Sequence, residues 1–177
     1  MKIRNLLLNT VILFVLMTGT AMAEPKNGFS LNAGLASHSR DCNGCTGSGT
    51  SGVSLGLDYQ FALSNKFSIS PFLMSSSESN SNVSGATVGH GIFGAQLRYW
   101  AGDMFFGGHL GNYSEVISSG GVTVLSGSGG GAGLVAGWEQ PDGGLYVMGQ
   151  FDSATIKYSS GNIPISAFRL SAGYRWK

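Results

Sequence analysis

Apolar and polar residues alternate along most of the chain, most strictly at its end. From Phe168 to Trp176, large apolar side chains occupy every second position, and the positions between them include Arg169 and Arg175. Successive side chains of a β-strand point to opposite faces, so this segment predicts a strand with one apolar face and one face carrying two arginines. The apolar face would contact a second sheet in a soluble sandwich, and lipid in a membrane barrel.

The same period of two predicts seven further strands. They cover 28–37, 53–61, 67–73, 91–99, 104–113, 134–138 and 145–152. Pro71 has no amide hydrogen for the ladder, so we expect a bulge in the third of these strands. The phase of the fifth strand is open, because Phe105 and Phe106 are both large.

The predicted connections alternate between long and short. The long ones are polar segments at 38–51, 75–86, 116–131 and 158–162, and the short ones are turns at 63–65, 101–103 and 140–143. Outer-membrane barrels have an even number of strands, short periplasmic turns and longer outer loops. The pattern therefore predicts an all-β fold, a single antiparallel up-and-down transmembrane β-barrel of about eight strands. Both chain ends would then lie in the periplasm.

Composition favours the barrel over a soluble domain. Only 11% of the residues are charged, where roughly 25% is ordinary for a soluble domain. The chain has 29 glycines, which suit the bends and crowded interior of a small barrel. Disorder is disfavoured, because aromatic residues and alternation recur along the whole chain.

The first residues predict an export signal. Lys2 and Arg4 precede an apolar core at 6–17 and the small-residue sequence Ala21-Met22-Ala23. We therefore expect a cleaved signal peptide at 1–23 and a barrel domain at 24–177. Without Lys2 and Arg4, eight basic and nine acidic residues remain. That balance gives no basic field for nucleic acid.

Most aromatic residues lie at the strand ends beside the predicted short turns and the termini. Tyr59, Phe61, Phe67, Tyr99, Trp138, Tyr146, Tyr174 and Trp176 are the members we assign to a membrane-interface ring, and Phe29, Trp100, Phe105 and Phe106 lie at the same ends. Aromatic girdles of this kind border the apolar band of outer-membrane barrels.

In these features the chain resembles the small outer-membrane β-barrels, such as the opacity-type proteins and the barrel domain of outer membrane protein A. Its last strand, with Tyr174 and Trp176 near the end, is similar to the assembly signal of such barrels. The resemblance implies outer-membrane localisation and a monomer in contact with lipid and lipopolysaccharide. It also implies recognition by the barrel-assembly machinery through the last strand.

Several charged residues fall on the inward face of the predicted strands. They are Asp58, Arg98, Glu139, Asp152, Arg169 and Arg175. A barrel this narrow is filled by side chains, so we expect a plug of ion pairs, with a carboxylate beside Arg169 and another beside Arg175. A gated pore is the alternative.

The two cysteines lie in the sequence Cys42-Asn43-Gly44-Cys45. An oxidising compartment favours a small disulfide between them, with free thiols, or a zinc site with His38 and Asp41, as alternatives.

We expect His90 and His109 to be polar fillers of the lumen and His38 to be a solvated loop residue. No cofactor or metal centre is assigned.

No catalytic residue is assigned either. In the lipid-modifying barrels that this chain resembles in size, a histidine lies two residues before the nucleophile. Here the residues at that spacing are Arg40, Ile92 and Gly111. The glycine run at 127–131 lacks the lysine of a phosphate-binding loop. The sequence thus favours a non-enzymatic barrel whose polar loops serve a structural, surface-interaction or adhesion role, with a surface or host ligand as the partner. A narrow passive channel and a lipid A-modifying enzyme are the alternatives.

Overall fold

The chain forms a closed barrel of eight antiparallel strands in a computed structural model that describes residues 24–40, 49–79, 86–141 and 144–176. The strands are β1 (Gly28–Arg40), β2 (Thr50–Ala62), β3 (Phe67–Ser79), β4 (Ala86–Ala101), β5 (Met104–Ser119), β6 (Val122–Glu139), β7 (Leu145–Tyr158) and β8 (Gly161–Trp176). Each strand pairs with the next, and β8 pairs with β1. The predicted fold class is confirmed. In the described ranges no helix has the length and apolar character needed to cross a membrane.

The period of two sorts side chains between the outside and the inside of the barrel. In β2, Leu55, Leu57 and Tyr59 are exposed on the outer face, while Asp58 and Gln60 are buried inside. The pairing of β1 with β8 continues the apolar outer face across the point where the barrel closes, with Leu31 of β1 opposite Tyr174 of β8. The barrel therefore has an apolar exterior and a largely polar interior.

The two ends of the barrel differ. We call the end that holds Gly28, Trp176 and the β2–β3, β4–β5 and β6–β7 connections the proximal end, and the opposite end the distal end. The proximal connections are short, as predicted. At the distal end the strands extend well past the predicted limits, so the predicted alternation of long and short connections is wrong for two distal loops.

The segments 116–131 and 158–162 are not loops. The first is a hairpin whose turn is Gly120-Gly121, with φ of 59° and 81°, a left-handed conformation that favours glycine. The second is a tight turn between β7 and β8. In the other two predicted loops, 38–40, 50–51, 75–79 and Ala86 belong to strands, and 41–48 and 80–85 lie outside the described residues.

Every second residue of the glycine run, Gly127, Gly129 and Gly131, lies on the inner face of β6, and Gly133 continues this series. Gly133 lies opposite His109 of β5, and Gly129 lies opposite Tyr113. A Cβ at Gly133 would lie 2.2 Å from His109 Cε1 and 2.4 Å from the carbonyl oxygen of Phe151. The glycines therefore make room for large side chains of β5. Because they leave the first part of β6 without alternating apolar residues, the prediction of a loop at 116–131 is wrong, whereas the predicted strand at 134–138 lies within β6.

Pro71 causes no bulge. Asp58 lies opposite Phe72 and Phe61 lies opposite Ile69, which is the same offset on both sides of Pro71. The register with β4 is also continuous, with Pro71 opposite Ala95. The expected bulge at this position is wrong, and a register shift lies instead between 117 and 118 in the β5–β6 pair.

The structure also fixes the phase of β5. Phe105 is completely buried inside the barrel and Phe106 is 45% exposed on the outer face. His109 and Tyr113 follow Phe105 on the inner face. The inner face of β5 therefore carries large side chains, and the inner face of the neighbouring strand β6 carries glycines.

Candidate functional site

All six charged residues assigned to the lumen are buried inside the barrel. They are Asp58, Arg98, Glu139, Asp152, Arg169 and Arg175. The structure divides them into two groups. Four lie near the proximal end, and Asp152 and Arg169 lie farther along the axis.

The four proximal residues form one ion-pair network, which we call the proximal network: Asp58, Arg98, Glu139 and Arg175. Asp58 bridges both arginines, with Oδ2 3.4 Å from Arg98 Nη2 and Oδ1 3.6 Å from Arg175 Nη1. Arg175 Nε also donates to Glu139 Oε2 at 3.2 Å. Two cations and two carboxylates therefore balance inside the wall, which is what burial of charge requires.

Aromatic rings complete the proximal network. The guanidinium carbon of Arg98 lies 5.0 Å from the centroid of Phe105, and that of Arg175 lies 5.5 Å from the centroid of Tyr146. Trp100, also buried, donates from Nε1 to Ser68 Oγ at 3.0 Å. Such cation–π and indole contacts stabilise a buried guanidinium and a buried ring together.

The assignment of Tyr146 to a membrane-interface ring is therefore wrong. Its side chain is only 1% exposed and its hydroxyl donates to Ser30 Oγ at 3.4 Å. Trp100 and Phe105, which lie at the same ends of their strands, are also interior. The position of an aromatic residue near a strand end determines its level along the barrel axis but not the face to which it points. Phe105 and Tyr146 lie inside against Arg98 and Arg175, and Trp100 lies inside against Phe105.

Asp152 is the centre of the middle layer. Its Oδ1 lies 2.7 Å from His109 Nε2 and accepts from the hydroxyl of Tyr113 at 2.9 Å. Gln150 Nε2 donates to the same oxygen at 2.9 Å, and Arg169 Nη1 donates to Oδ2. The second arm of Arg169 contacts His38 Nε2 at 2.8 Å and so connects this layer to the distal end.

A third group, which we call the distal cluster, consists of His38, Arg40, Glu78, His90 and Glu115. His38 Nδ1 contacts Glu78 Oε1, and the rings of His38 and His90 stack at 3.7 Å with an interplanar angle of 3°. Arg40 pairs with Glu115 through Nε at 3.1 Å and Nη2 at 2.9 Å. Two carboxylates and two imidazoles thus share one buried space.

Sequence reasoning missed most of this cluster. His38 is 3% exposed on β1, so its interpretation as a solvated loop residue is wrong. Glu78 and Glu115 were not singled out, because 75–79 was assigned to a loop and β5 was ended at 113. Continuing the period of β3 past Phe72 and Met74 would have placed Glu78 on the inner face.

On β1 and β3 the distal cluster lies beyond the large apolar residues of the outer face. The outward neighbours of His38 are Ser37 and Ser39, and those of Glu78 are Ser77 and Ser79.

Buried side chains occupy the space between the proximal network and the middle layer, among them Asn32, Asp58, Phe72, Met74 and Gln150. A void that they border has a volume of about 10 Å³, which corresponds to about one water molecule.

Nine aromatic residues lie on the outer face near the proximal end. They are Phe29, Tyr59, Phe61, Phe67, Tyr99, Phe106, Trp138, Tyr174 and Trp176. Several contact one another across strands, as in the pair Phe67–Tyr99 with centroids 5.3 Å apart. Farther from this end the outer face carries leucine, valine and phenylalanine, up to residues such as Leu35 and Leu73. Beyond these the outward residues of β1 and β3 are serines.

Cys42 and Cys45 lie outside the described residues. The disulfide between them stays a prediction from the sequence.

The sequence matches no protein-family model and no curated protein. Among solved structures, the barrel is similar to Ail, the attachment invasion locus protein of Yersinia pestis, with a TM-score of 0.57 and 17% identity over 85% of this chain and 99% of Ail. It is similar to Neisserial surface protein A with a TM-score of 0.61 and 11% identity over 84% of this chain and 97% of the other. At such identities the shared property is the fold. The chain thus has the closed eight-stranded fold of the small outer-membrane β-barrels.

Proposed function

We propose that this protein is a non-enzymatic outer-membrane barrel with a sealed interior, whose distal end contacts molecules outside the cell. The observation that carries the proposal is the inverted distribution of polarity. Large apolar side chains such as Leu55, Leu134 and Phe151 are more than half exposed on the outer face, while Arg98 and Arg175 are almost completely buried inside. Only an apolar solvent around the barrel makes this arrangement favourable.

The outer face then defines the membrane boundaries. The ring of outward aromatics at the proximal end suits the periplasmic interface, where amphipathic rings are enriched. The serine-rich outer wall at the distal end suits the aqueous side, in contact with lipopolysaccharide. In this orientation Gly28 and Trp176 both lie on the periplasmic side. This is compatible with export by a signal peptide at 1–23 and with recognition of β8 by the barrel-assembly machinery, and we propose that the barrel is a monomer.

A sealed interior favours surface contact over conduction. The paired charges and the small size of the void beside Asp58 and Phe72, about 10 Å³, support a closed interior. Connections on a rigid scaffold are common sites of binding, and in this orientation the strand ends at Arg40, Thr50, Ser79 and Ala86 face the exterior. One protein of the same fold is named for attachment and invasion, which supports attachment as the role to test first.

The contacts of the three histidines support a non-enzymatic role. His38, His90 and His109 are buried inside the barrel, and their described polar contacts are with carboxylates, Tyr113 and Arg169. A serine nucleophile for lipid would need a base on the outer face. Mass spectrometry of lipid A from cells with and without the protein should show no difference, and a change in acylation would revive the enzyme alternative.

The proposal is tested by membrane fractionation combined with planar-bilayer recordings. We expect the protein in the outer-membrane fraction, and a silent bilayer after reconstitution of the folded protein. Recovery as a soluble periplasmic protein would contradict the membrane assignment. Stable single-channel steps would instead support the narrow channel.

A further inference from the structure

The distal cluster contains a set of side chains suited to a metal ion. His38, Glu78 and His90 are each at most 4% exposed, and one potential ligand atom from each lies within 4.8 Å of the other two. They come from β1, β3 and β4, so the wall of the barrel fixes their relative positions. Two imidazoles and one carboxylate are the ligands of many zinc sites that keep a fourth position open.

The electrostatic surroundings of Glu78 are suited to a bound cation. Glu78 is 1% exposed, and within the described ranges its ion-pair contacts are only with His38 and His90. Arg40 is paired with Glu115 and Arg169 with Asp152. A buried carboxylate without a permanent cation is costly, and a divalent ion held by Glu78 would offset that cost.

The orientation of His90 gives independent support. Glu115 Oε2 lies 3.3 Å from His90 Nδ1 and favours the proton on that nitrogen. The lone pair of Nε2 then faces Glu78 Oε2 at 3.8 Å, and Nε2 makes no hydrogen bond to any residue of the described ranges. His90 Nε2 and Glu78 Oε2 are then two hydrogen-bond acceptors 3.8 Å apart, and a cation bound between them would contact both. Zinc ligands at about 2.0–2.2 Å from the metal have comparable separations.

The surroundings resemble the outer shell of a metal site. Glu115 holds the far nitrogen of His90, as carboxylates do in carboxylate–histidine–metal arrangements. Ser76 Oγ donates to Glu78 Oε1 at 3.1 Å, and Thr50 Oγ1 donates to Oε2. These contacts fix the direction of both ligands before any ion arrives.

Arg169 competes for one of the ligands. It donates to His38 Nε2, which favours the tautomer with the proton on Nδ1. Binding of a metal at Nδ1 requires the other tautomer, so Arg169 must release His38 while it keeps its bond to Asp152. Metal binding would therefore uncouple the distal cluster from the middle layer.

We propose that His38, Glu78 and His90 form a binding site for a divalent transition-metal ion of the zinc type at the distal end of the barrel. Imidazole and carboxylate together suit zinc and its neighbours better than magnesium or calcium, which prefer oxygen ligands alone. The proposal does not depend on where the barrel resides in the cell.

The test is titration of the folded full chain in detergent with Zn²⁺ by calorimetry, and with Co²⁺ by absorption spectroscopy. All variants carry Cys42→Ser and Cys45→Ser, because thiolates would bind the same ions. We expect one ion per chain. His90→Gln should weaken binding more than the 10–100-fold that loss of an outer-shell partner costs, and Glu115→Gln should weaken it within that range.

The matched control is His109→Gln, which removes the third buried imidazole, bound to Asp152 rather than Glu78. It should leave the affinity for Zn²⁺ unchanged. Retained heat-modifiable mobility on gels shows that each variant is folded. Absence of binding in the folded cysteine-free protein, or an equal loss in His90→Gln and His109→Gln, would overturn the proposal. So would a Mg²⁺ affinity equal to that for Zn²⁺.

Discussion

The proximal network and the distal cluster use buried charge in different ways. The proximal network pairs two arginines with two carboxylates and covers the guanidinium groups with Phe105 and Tyr146. The distal cluster pairs Arg40 with Glu115 but leaves Glu78 to two imidazoles. One group is made of permanent charges, and the other contains residues whose charge and partners can change.

The outer wall explains the difference. At the level of Asp58 the outward neighbours are Leu57 and Tyr59, whereas at the level of Glu78 they are Ser77 and Ser79. Charges surrounded by lipid must be balanced within the protein, whereas in the proposed orientation the serine-rich wall beside Glu78 faces water. We infer that the proximal network seals and stabilises the barrel and that the distal cluster is the part available for function.

The largest expected effect is that of Asp58→Asn. The variant keeps the shape of the side chain but removes the charge that bridges Arg98 and Arg175. Removing one partner from a buried pair costs about 3–5 kcal/mol. Unfolding by urea in phospholipid bilayers, followed by heat-modifiable mobility on gels, should show a loss of this size.

Glu24→Gln is the control for this variant, because it neutralises an exposed carboxylate before β1. Its free energy of unfolding should stay within about 0.5 kcal/mol of the parent. Equal stabilities of the two variants would mean that the proximal network does not hold the barrel together.

A smaller effect is expected from Gly133→Ala, in the middle layer between the two groups. The new methyl group would meet the His109 ring and the carbonyl oxygen of Phe151, and overpacking of this kind costs about 1–3 kcal/mol. Gly130→Ala, three residues earlier in β6, has open space around its Cβ and should be nearly neutral. If the same urea titration ranks them in the reverse order, the inner face of β6 has been misassigned.

The smallest of the three effects is that of Arg40→Gln in the distal cluster. Glu115 keeps contacts with Tyr158 and His90, so we expect a loss of about 1–2 kcal/mol. Arg98→Gln is the proximal counterpart, and it should cost clearly more because Arg98 is almost fully buried in the apolar part of the wall. A cost for Arg40→Gln that matches or exceeds that of Arg98→Gln would remove the distinction between the two groups.

The sequence predicts the barrel well, because a strand that crosses an apolar band needs an apolar residue at every second position. It predicts the distal ends of the strands poorly for two reasons. The outer face of β3 carries serines there instead of apolar residues, and the inner face of β6 carries glycines, so neither segment shows alternating apolar and polar residues. For this reason Glu78 and Glu115 were overlooked. Tyr146 was assigned to the wrong face because only the register and the position of Arg175 decide which way an end-of-strand ring points.

The central claim is that lipid surrounds the barrel and that its polar side chains lie within, and the three tryptophans of the chain test it directly. Trp138 and Trp176 are 42% and 51% exposed on the outer face, whereas Trp100 is 3% exposed inside. Variants that keep one tryptophan each, with phenylalanine at the other two positions, can be folded into bilayers of brominated phospholipid. We predict strong fluorescence quenching for Trp138 and Trp176 and weak quenching for Trp100. Equal quenching of all three, or none at the outward pair, would contradict the account.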